Sequence, residues 1–458
     1  MMSKKLLTLA LILAVVTGIV FAGGKSDQPA AAGGKQLIHV WTYNRHDLAF
    51  MEQKVANYNA TNKDNIEVVL GSYSDNYSQT VNLAYQTGEA PDILAHDPNV
   101  FLLHVNQGRF ADFTPLMDAK FKGTFGSLIW DDVNRINGKV YFIPTMATTN
   151  RLFYNKGIFK RVGLEPPKTL EEMVAAAKKI TDTLKGEGIY GFAQNMRSPQ
   201  SGLSRSLAPM IDRQLGIHQG YDFAKGQYDF TGHGPVLAAW KELLSPAIAF
   251  PGCESLDIDP LRSQFAAGKI AMYFSYTHAE PGVYASQFPT KEEWGSVQIP
   301  VPGGNVKGAQ NYQVTNGWMI NQASKNIQTA WKVYVDLLAN TDLLKEYYEQ
   351  GLGITMVPEV IAKASPAPIF RDNPTMLITA TDGLWPRTPH EANSAAVVVE
   401  GPNMWDTFAS IIYANANPQQ ALADLTTRYN KALQAGIDQK LGTPIKASAG
   451  FNPMQPKL

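Results

Sequence analysis

The chain has 458 residues, 45% of them hydrophobic, with 40 Lys and Arg against 40 Asp and Glu, and one cysteine. A formal net charge of zero and the lack of any basic run interleaved with aromatics exclude a nucleic-acid surface. The lone Cys253 excludes an internal disulfide, so stability must come from burial, and the length supplies material for two domains.

In chain order, Lys4 and Lys5 precede an apolar run from Leu6 to Phe21, and Val20-Phe21-Ala22 places small residues where a signal peptidase reads. The pattern predicts a secretory signal peptide over 1–22, shorter than a membrane-spanning helix requires. The Gly-, Ala- and Ser-rich stretch that follows predicts a flexible tether over 23–36. No cysteine stands near Ala22 to carry a lipid, so the expectation is a freely diffusing periplasmic protein, exported by a cleavable signal.

From Gln36 the chain alternates short apolar strands with amphipathic helices. Leu37–Trp41, Ile66–Leu70 and Asp92–Ala95 read as strands, and Leu48–Asn59 and Tyr77–Thr87 as helices. That order implies right-handed crossovers and a parallel sheet covered by helices, an α/β architecture. A second set follows with the strand Leu152–Asn155, a helix over Thr169–Leu184 and the strand Tyr190–Ala193. Thr169 is the expected N-cap, with Glu172 as its capping-box partner. Ile270–Phe274 and Gly295–Ile299 read as further strands.

Ligands of such sheets bind beyond the carboxyl ends of the strands, so the loops at Trp41–Arg45, Gly71–Asp75 and His96-Asp97 are site candidates. The motifs Asn137-Gly138-Lys139-Val140-Tyr141-Phe142-Ile143-Pro144 and Leu152-Phe153-Tyr154-Asn155-Lys156-Gly157 carry a more specific signal. With Ala90-Pro91-Asp92-Ile93, Phe265–Met272 and Pro386-Arg387-Thr388-Pro389 in order along the chain, the sequence resembles the family 1 extracellular solute-binding proteins, the maltose-binding-protein group.

The resemblance implies a periplasmic-binding-protein type II-like fold, with two α/β lobes around a hinged cleft. Lobe 1 is expected over 37–147 and 303–352, lobe 2 over 148–302 and 353–458. Crossings are expected near Thr145–Arg151, Val301–Gln313 and Gln350–Met356, with Pro302, Gly303, Gly304, Gly351 and Gly353 as hinge residue types. It also implies a monomer that captures a sugar and passes it to the permease subunits of an ABC importer, without cofactor or metal.

A sugar offers hydroxyls at its edge and a weakly polar C–H face, so its site needs planar aromatics and multivalent polar side chains. By correspondence with the family's cleft loops, the candidates are Tyr43, Asn44, Arg45, Tyr73, Asp97, Tyr276, Thr277, Trp318, Trp385 and Arg387. Asp97 stands out because one carboxylate can accept from two neighbouring hydroxyls. The few large platforms suggest a small sugar, and Arg45 and Arg387 raise the alternative of a sugar acid or phosphorylated polyol. The rival reading, a secreted carbohydrate-active hydrolase, would need two carboxylates facing across one bond. Adjacent acids such as Glu171-Glu172 point to different faces, and the eight histidines include no His-x-x-x-His pair.

Overall fold

The fold is described from a computed structural model over residues 34–73, 76–98, 100–439 and 447–456. The expected signal peptide and nearly all of the expected tether lie outside the described residues, and so do Ser74 and Asp75 of the second strand-end loop.

The first sheet is built as the alternation predicts. Strand β1 (Gln36–Thr42) turns Ile38 and Val40 into the core and pairs in parallel with β2 (Ile66–Ser72) and β3 (Ile93–Ala95). Between them run helix α1 (Leu48–Thr61), which buries Phe50, Met51 and Val55, and helix α2 (Tyr77–Thr87), which ends at Gly88 with φ 77°. A left-handed residue there lets the chain leave the helix without a Cβ clash. Strand Trp318–Ile320 closes the sheet antiparallel to β3, giving the order β2, β1, β3 and then this late strand.

The second sheet is organised by Met146–Asn155, ten residues long. Its Leu152–Asn155 half pairs with Met272–Tyr276 on one side and Trp294–Val297 on the other, both antiparallel. The predicted strand over Tyr190–Ala193 reduces to single parallel bridges, Tyr190 to Ile270 and Phe192 to Ala249. Here the chain lies against a helix backbone, and a Cβ on Gly191 would sit 2.0 Å from the Ala177 carbonyl oxygen. That helix, Leu170–Leu184, begins with the expected capping box: the Thr169 hydroxyl accepts from the Glu172 amide, and the Glu172 carboxylate accepts from the Thr169 amide. Its buried Leu170, Met173, Ala176, Ala177, Ile180, Thr181 and Leu184 keep the 3–4 spacing of an amphipathic helix.

Two separate hydrophobic cores result, one around Ile38, Phe113 and Tyr334, the other around Phe153, Trp240 and Phe274. Three strands run between them side by side. Ala147 of the long strand faces Val314 of Gln310–Thr315 on one flank and Ile354 of Ile354–Thr355 on the other.

The packing moves the lobe boundaries expected at 302/303 and 352/353. Lys307, Ala309 and Gln310 donate their amides to Arg213, Pro453 and Thr381 of lobe 2, and Val357 and Val360 fill the core of lobe 1. Pro302–Gly304 forms one tight turn on the surface of lobe 2, where the Glu171 carboxylate accepts from the Gly303 amide at 3.0 Å. Residue types suited to a hinge here serve a fixed turn.

Candidate functional site

Two of the crossing strands, at Thr148 and Gln313–Thr315, form the floor of a cavity of about 240 Å³ with one wall from each lobe. The lobe 1 wall comes from strand ends. After β1 the chain presents Tyr43, Asn44, Arg45 and His46; after β3 it presents His96, with Trp318 alongside. Tyr43 is fixed by its hydroxyl, which donates to the His96 carbonyl at 3.1 Å, and by packing on Tyr77 with ring centroids 5.0 Å apart. The Asn44 amide donates to Thr42 Oγ1, which turns the chain off the strand. The His96 ring stacks on Phe142 at 4.2 Å, and burial pushes its imidazole down to about 3, so it is neutral.

The lobe 2 wall is assembled from three elements: Tyr276 at the end of the strand Met272–Tyr276 with His278 just beyond it, Arg205 at the end of the helix Pro199–Arg205, and Arg262 from the helix Ile258–Ala266. Burial, reinforced by His46, Arg262 and Arg205, holds the His278 imidazole well below its usual range, and its Nδ1 lies 2.7 Å from Thr148 Oγ1 on the floor. Gln313 and Asn316 add amides from the second crossing.

The walls touch at the rim. Arg45 of lobe 1 reaches Asp259 of lobe 2 at 3.2 Å, and the rings of His46 and His278 meet edge-on at 5.2 Å. Elsewhere on the interface Arg387 of lobe 2 donates to the carbonyls of Asp132 and Val133 in lobe 1 and lies over the Phe101 ring.

Of the ten residues singled out from the sequence, Tyr43, Asn44, Arg45, Tyr276 and Trp318 line this cavity. The other five are placed elsewhere. Tyr73 leans on Trp41 with ring centroids 4.3 Å apart and is 37% exposed. Asp97 is buried beside the wall: its side chain takes a short hydrogen bond from Ser78, and its carbonyl accepts from the Phe101 amide at the start of a helix. Thr277 is fully buried because it bonds to Thr149, amide to carbonyl at 2.9 Å and hydroxyl to amide at 3.2 Å. Trp385 is a core residue of lobe 2, 5% exposed, stacked on His218 at 5.5 Å with Phe451 beside it, and its Nε1 donates to the Ala309 carbonyl. Arg387 clasps the lobes without lining the cavity, near His96 of the cavity wall, whose imidazole pKa its charge helps to lower.

Sequence reasoning missed Arg205, Arg262, His46 and His278. Gln313 falls within the expected second crossing, and His46 and His278 follow predicted strand ends, so the strand-end rule could have reached them. Arg205 ends a helix after a serine-rich stretch, and no local pattern marks it. Among the described residues no group of three or more His, Cys, Asp or Glu side chains is placed to hold a metal ion. No described helix is long and apolar enough to cross a membrane.

Comparison with known proteins bears on this geometry. A putative binding protein of Brucella abortus is 26% identical over 244 residues, 52% of this chain and 56% of that one, so the chain spans about half the length of that relative. A maltooligosaccharide ABC transporter solute-binding lipoprotein of Streptococcus pneumoniae is 24% identical over 383 residues, 76% of this chain and 80% of that protein. Among solved structures, an ABC transporter solute-binding protein of Thermotoga lettingae bound with α-D-tagatose superposes with a TM-score of 0.68 at 19% identity, over 87% of this chain and all of that one. The profile of the bacterial extracellular solute-binding proteins matches residues 44–342, more than half of the sequence, and with the two-lobed fold just described this chain belongs to that family.

Proposed function

We propose that the chain is the exported substrate-binding component of a bacterial ABC importer, which captures a carbohydrate between its lobes and delivers it to the membrane permease without chemical turnover. The observation that carries this reading is the cavity itself, whose two walls come from different lobes and whose floor is formed by two of the crossing strands, at Thr148 and Gln313–Thr315. A ligand that touches both walls favours the closed arrangement by its differential affinity, and a ligand touching one wall could not. Tyr43, Tyr276 and Trp318 offer faces for sugar C–H groups, and Asn44, Gln313 and Asn316 offer amides that both donate and accept. The volume of 240 Å³ is below the ~300–1,000 Å³ of pockets for drug-sized ligands, which favours one or two sugar rings over a long oligosaccharide. The S. pneumoniae and T. lettingae relatives support a carbohydrate as the class of ligand.

In this reading the protein works as a monomer in the periplasm, and the closed surface formed by both lobes is what the permease recognises. Small-angle scattering of the purified protein with a panel of mono- and disaccharides is the direct test: compaction with at least one sugar is expected, and no compaction with any would refute the reading. Incubation with aryl glycosides is expected to release no reducing sugar.

A further inference from the structure

On the lobe 2 wall two arginines, Arg205 and Arg262, stand beside two carboxylates, Glu280 and Asp259, but both carboxylates make their ion pairs with arginines other than Arg205. Arg262 takes Glu280 Oε1 at 2.7 and 3.1 Å and Asp259 Oδ1 at 3.2 Å, and Arg45 takes the other oxygen of Asp259 at 3.2 Å. Both oxygens of Asp259 are thereby engaged, whereas Glu280 is held through Oε1 alone and its buried Oε2 has no hydrogen-bond partner among the described residues. Across the cavity, Asp47 accepts from the Tyr347 hydroxyl at 2.8 Å and Asp97 accepts from Ser78.

Arg205 has no carboxylate within ion-pair distance among the described residues. Its guanidinium lies over the Tyr276 ring at 4.7 Å, and its buried Nε has no hydrogen-bond partner there. The π face of Tyr276 holds the guanidinium in place but does not neutralise it. Burial pulls its pKa below the ordinary guanidinium range, yet arginine stays charged. A desolvated cation facing a cavity is stabilised when an anion enters that cavity.

We propose that the ligand is an anionic sugar, a small polyhydroxylated ring bearing a carboxylate or phosphate, and that Arg205 binds the anionic group beside Tyr276. This rests on the carbohydrate-binding reading and narrows it to a substrate class. Arg262 and Arg45, paired with Glu280 and Asp259, shape the wall around the anion, and the amides of Gln313 and Asn316 meet the ring hydroxyls.

The test is calorimetric titration of the full purified protein with matched pairs: D-galacturonate against D-galactose, D-glucuronate against D-glucose, and D-glucose 6-phosphate against D-glucose. The uronate and phosphate arms separate the two sources of charge. At least one anionic member is expected to bind about tenfold or more tightly than its neutral twin, equivalent to ~1.4 kcal/mol. Arg205→Met is expected to bring that ratio to within about threefold at an unchanged melting temperature, and Arg205→Lys to retain part of the preference. Should Arg205→Met fail to fold, salt decides the matter: affinity for the anionic sugar falls with ionic strength while that for a neutral sugar does not. Neutral sugars binding as tightly as their anionic twins, or a preference that survives Arg205→Met, would overturn the inference and leave carbohydrate binding standing. Absence of binding by every sugar, charged or neutral, would remove both.

Discussion

The ion pair between Arg151 and Asp382 offers a quantitative test of how the crossing strands are anchored. Both side chains are fully buried, with Nη2 and Oδ2 2.7 Å apart, and Arg151 sits on the long strand just beyond the residues that cross between the lobes. The pair is embedded in further bonds. Arg151 donates to the carbonyls of Thr375, Asn150 and Leu377 and to Thr149 Oγ1, and Asp382 accepts from the Thr379 amide at 2.6 Å and its hydroxyl at 2.7 Å. Asp382→Asn leaves a guanidinium buried without its counter-charge, which costs about 3–5 kcal/mol. Arg151→Met leaves a carboxylate that keeps its Thr379 donors, so its cost falls toward the lower end of the same range. In the double variant no charge is stranded, and the loss is expected to be smaller than the sum of the single losses by about 1 kcal/mol or more. Urea unfolding followed by tryptophan fluorescence and circular dichroism, without ligand, measures all three. Single losses under about 1 kcal/mol, or a double loss equal to the sum within about 0.5 kcal/mol, would refute the reasoning.

Trp385→Ala is expected to destabilise lobe 2 by about 3–5 kcal/mol while leaving sugar affinity nearly intact, because the indole packs on His218 and Phe451 and does not line the cavity; melting curves beside a ligand titration separate the two effects. Arg387→Ala removes a clasp between the lobes without touching the cavity, so ligand affinity should fall and scattering of the free protein should shift toward a larger radius of gyration. For His218, burial alone would lower the imidazole pKa, but the Asp212 carboxylate 2.6 Å away, with Glu391, outweighs it and raises the value from 6.5 to about 8. The folded pKa is the higher one, so the associated stability is fully present below pH 6.5 and is lost as pH rises through about 8. His218→Gln should abolish that decline in a series of melting temperatures from pH 6 to pH 9, and a wild-type profile that is flat across this window would contradict the assignment.

Much of the fold is legible locally. The residues Tyr77–Thr87 form the helix their periodicity predicts, Thr169 and Glu172 form their capping box, and the apolar runs after Gln36 and before Ser72 become neighbouring parallel strands. Each depends on side chains a few positions apart, so short windows suffice. The strand-end rule then locates Tyr43, Asn44 and Arg45, because parallel order brings the carboxyl ends of strands to one edge of a sheet, whereas Tyr276 ends an antiparallel strand and is reached through the family resemblance.

Where side chains from distant segments compete for the same space, local pattern is silent. Trp385 stands in a proline-rich loop that reads equally well as cleft or core, and it becomes core because Phe223 and Phe451 arrive beside it from far along the chain. Asp97 has the chemistry of a sugar ligand and the position of a strand end, yet Ser78 of α2 takes its side chain and the start of the next helix takes its carbonyl. Arg205 carries no signature at all; its meaning arises only where the end of its helix meets Tyr276 while Glu280 and Asp259 are already engaged by other arginines. By itself, the sequence determined the two α/β units, their order and the kind of loops that face the cleft, since these follow from the period and polarity of neighbouring residues. Which aromatics line the cavity, where the chain changes lobes and which cation is left for a ligand were decided by tertiary packing, because each is the outcome of long-range competition for burial and for charge partners.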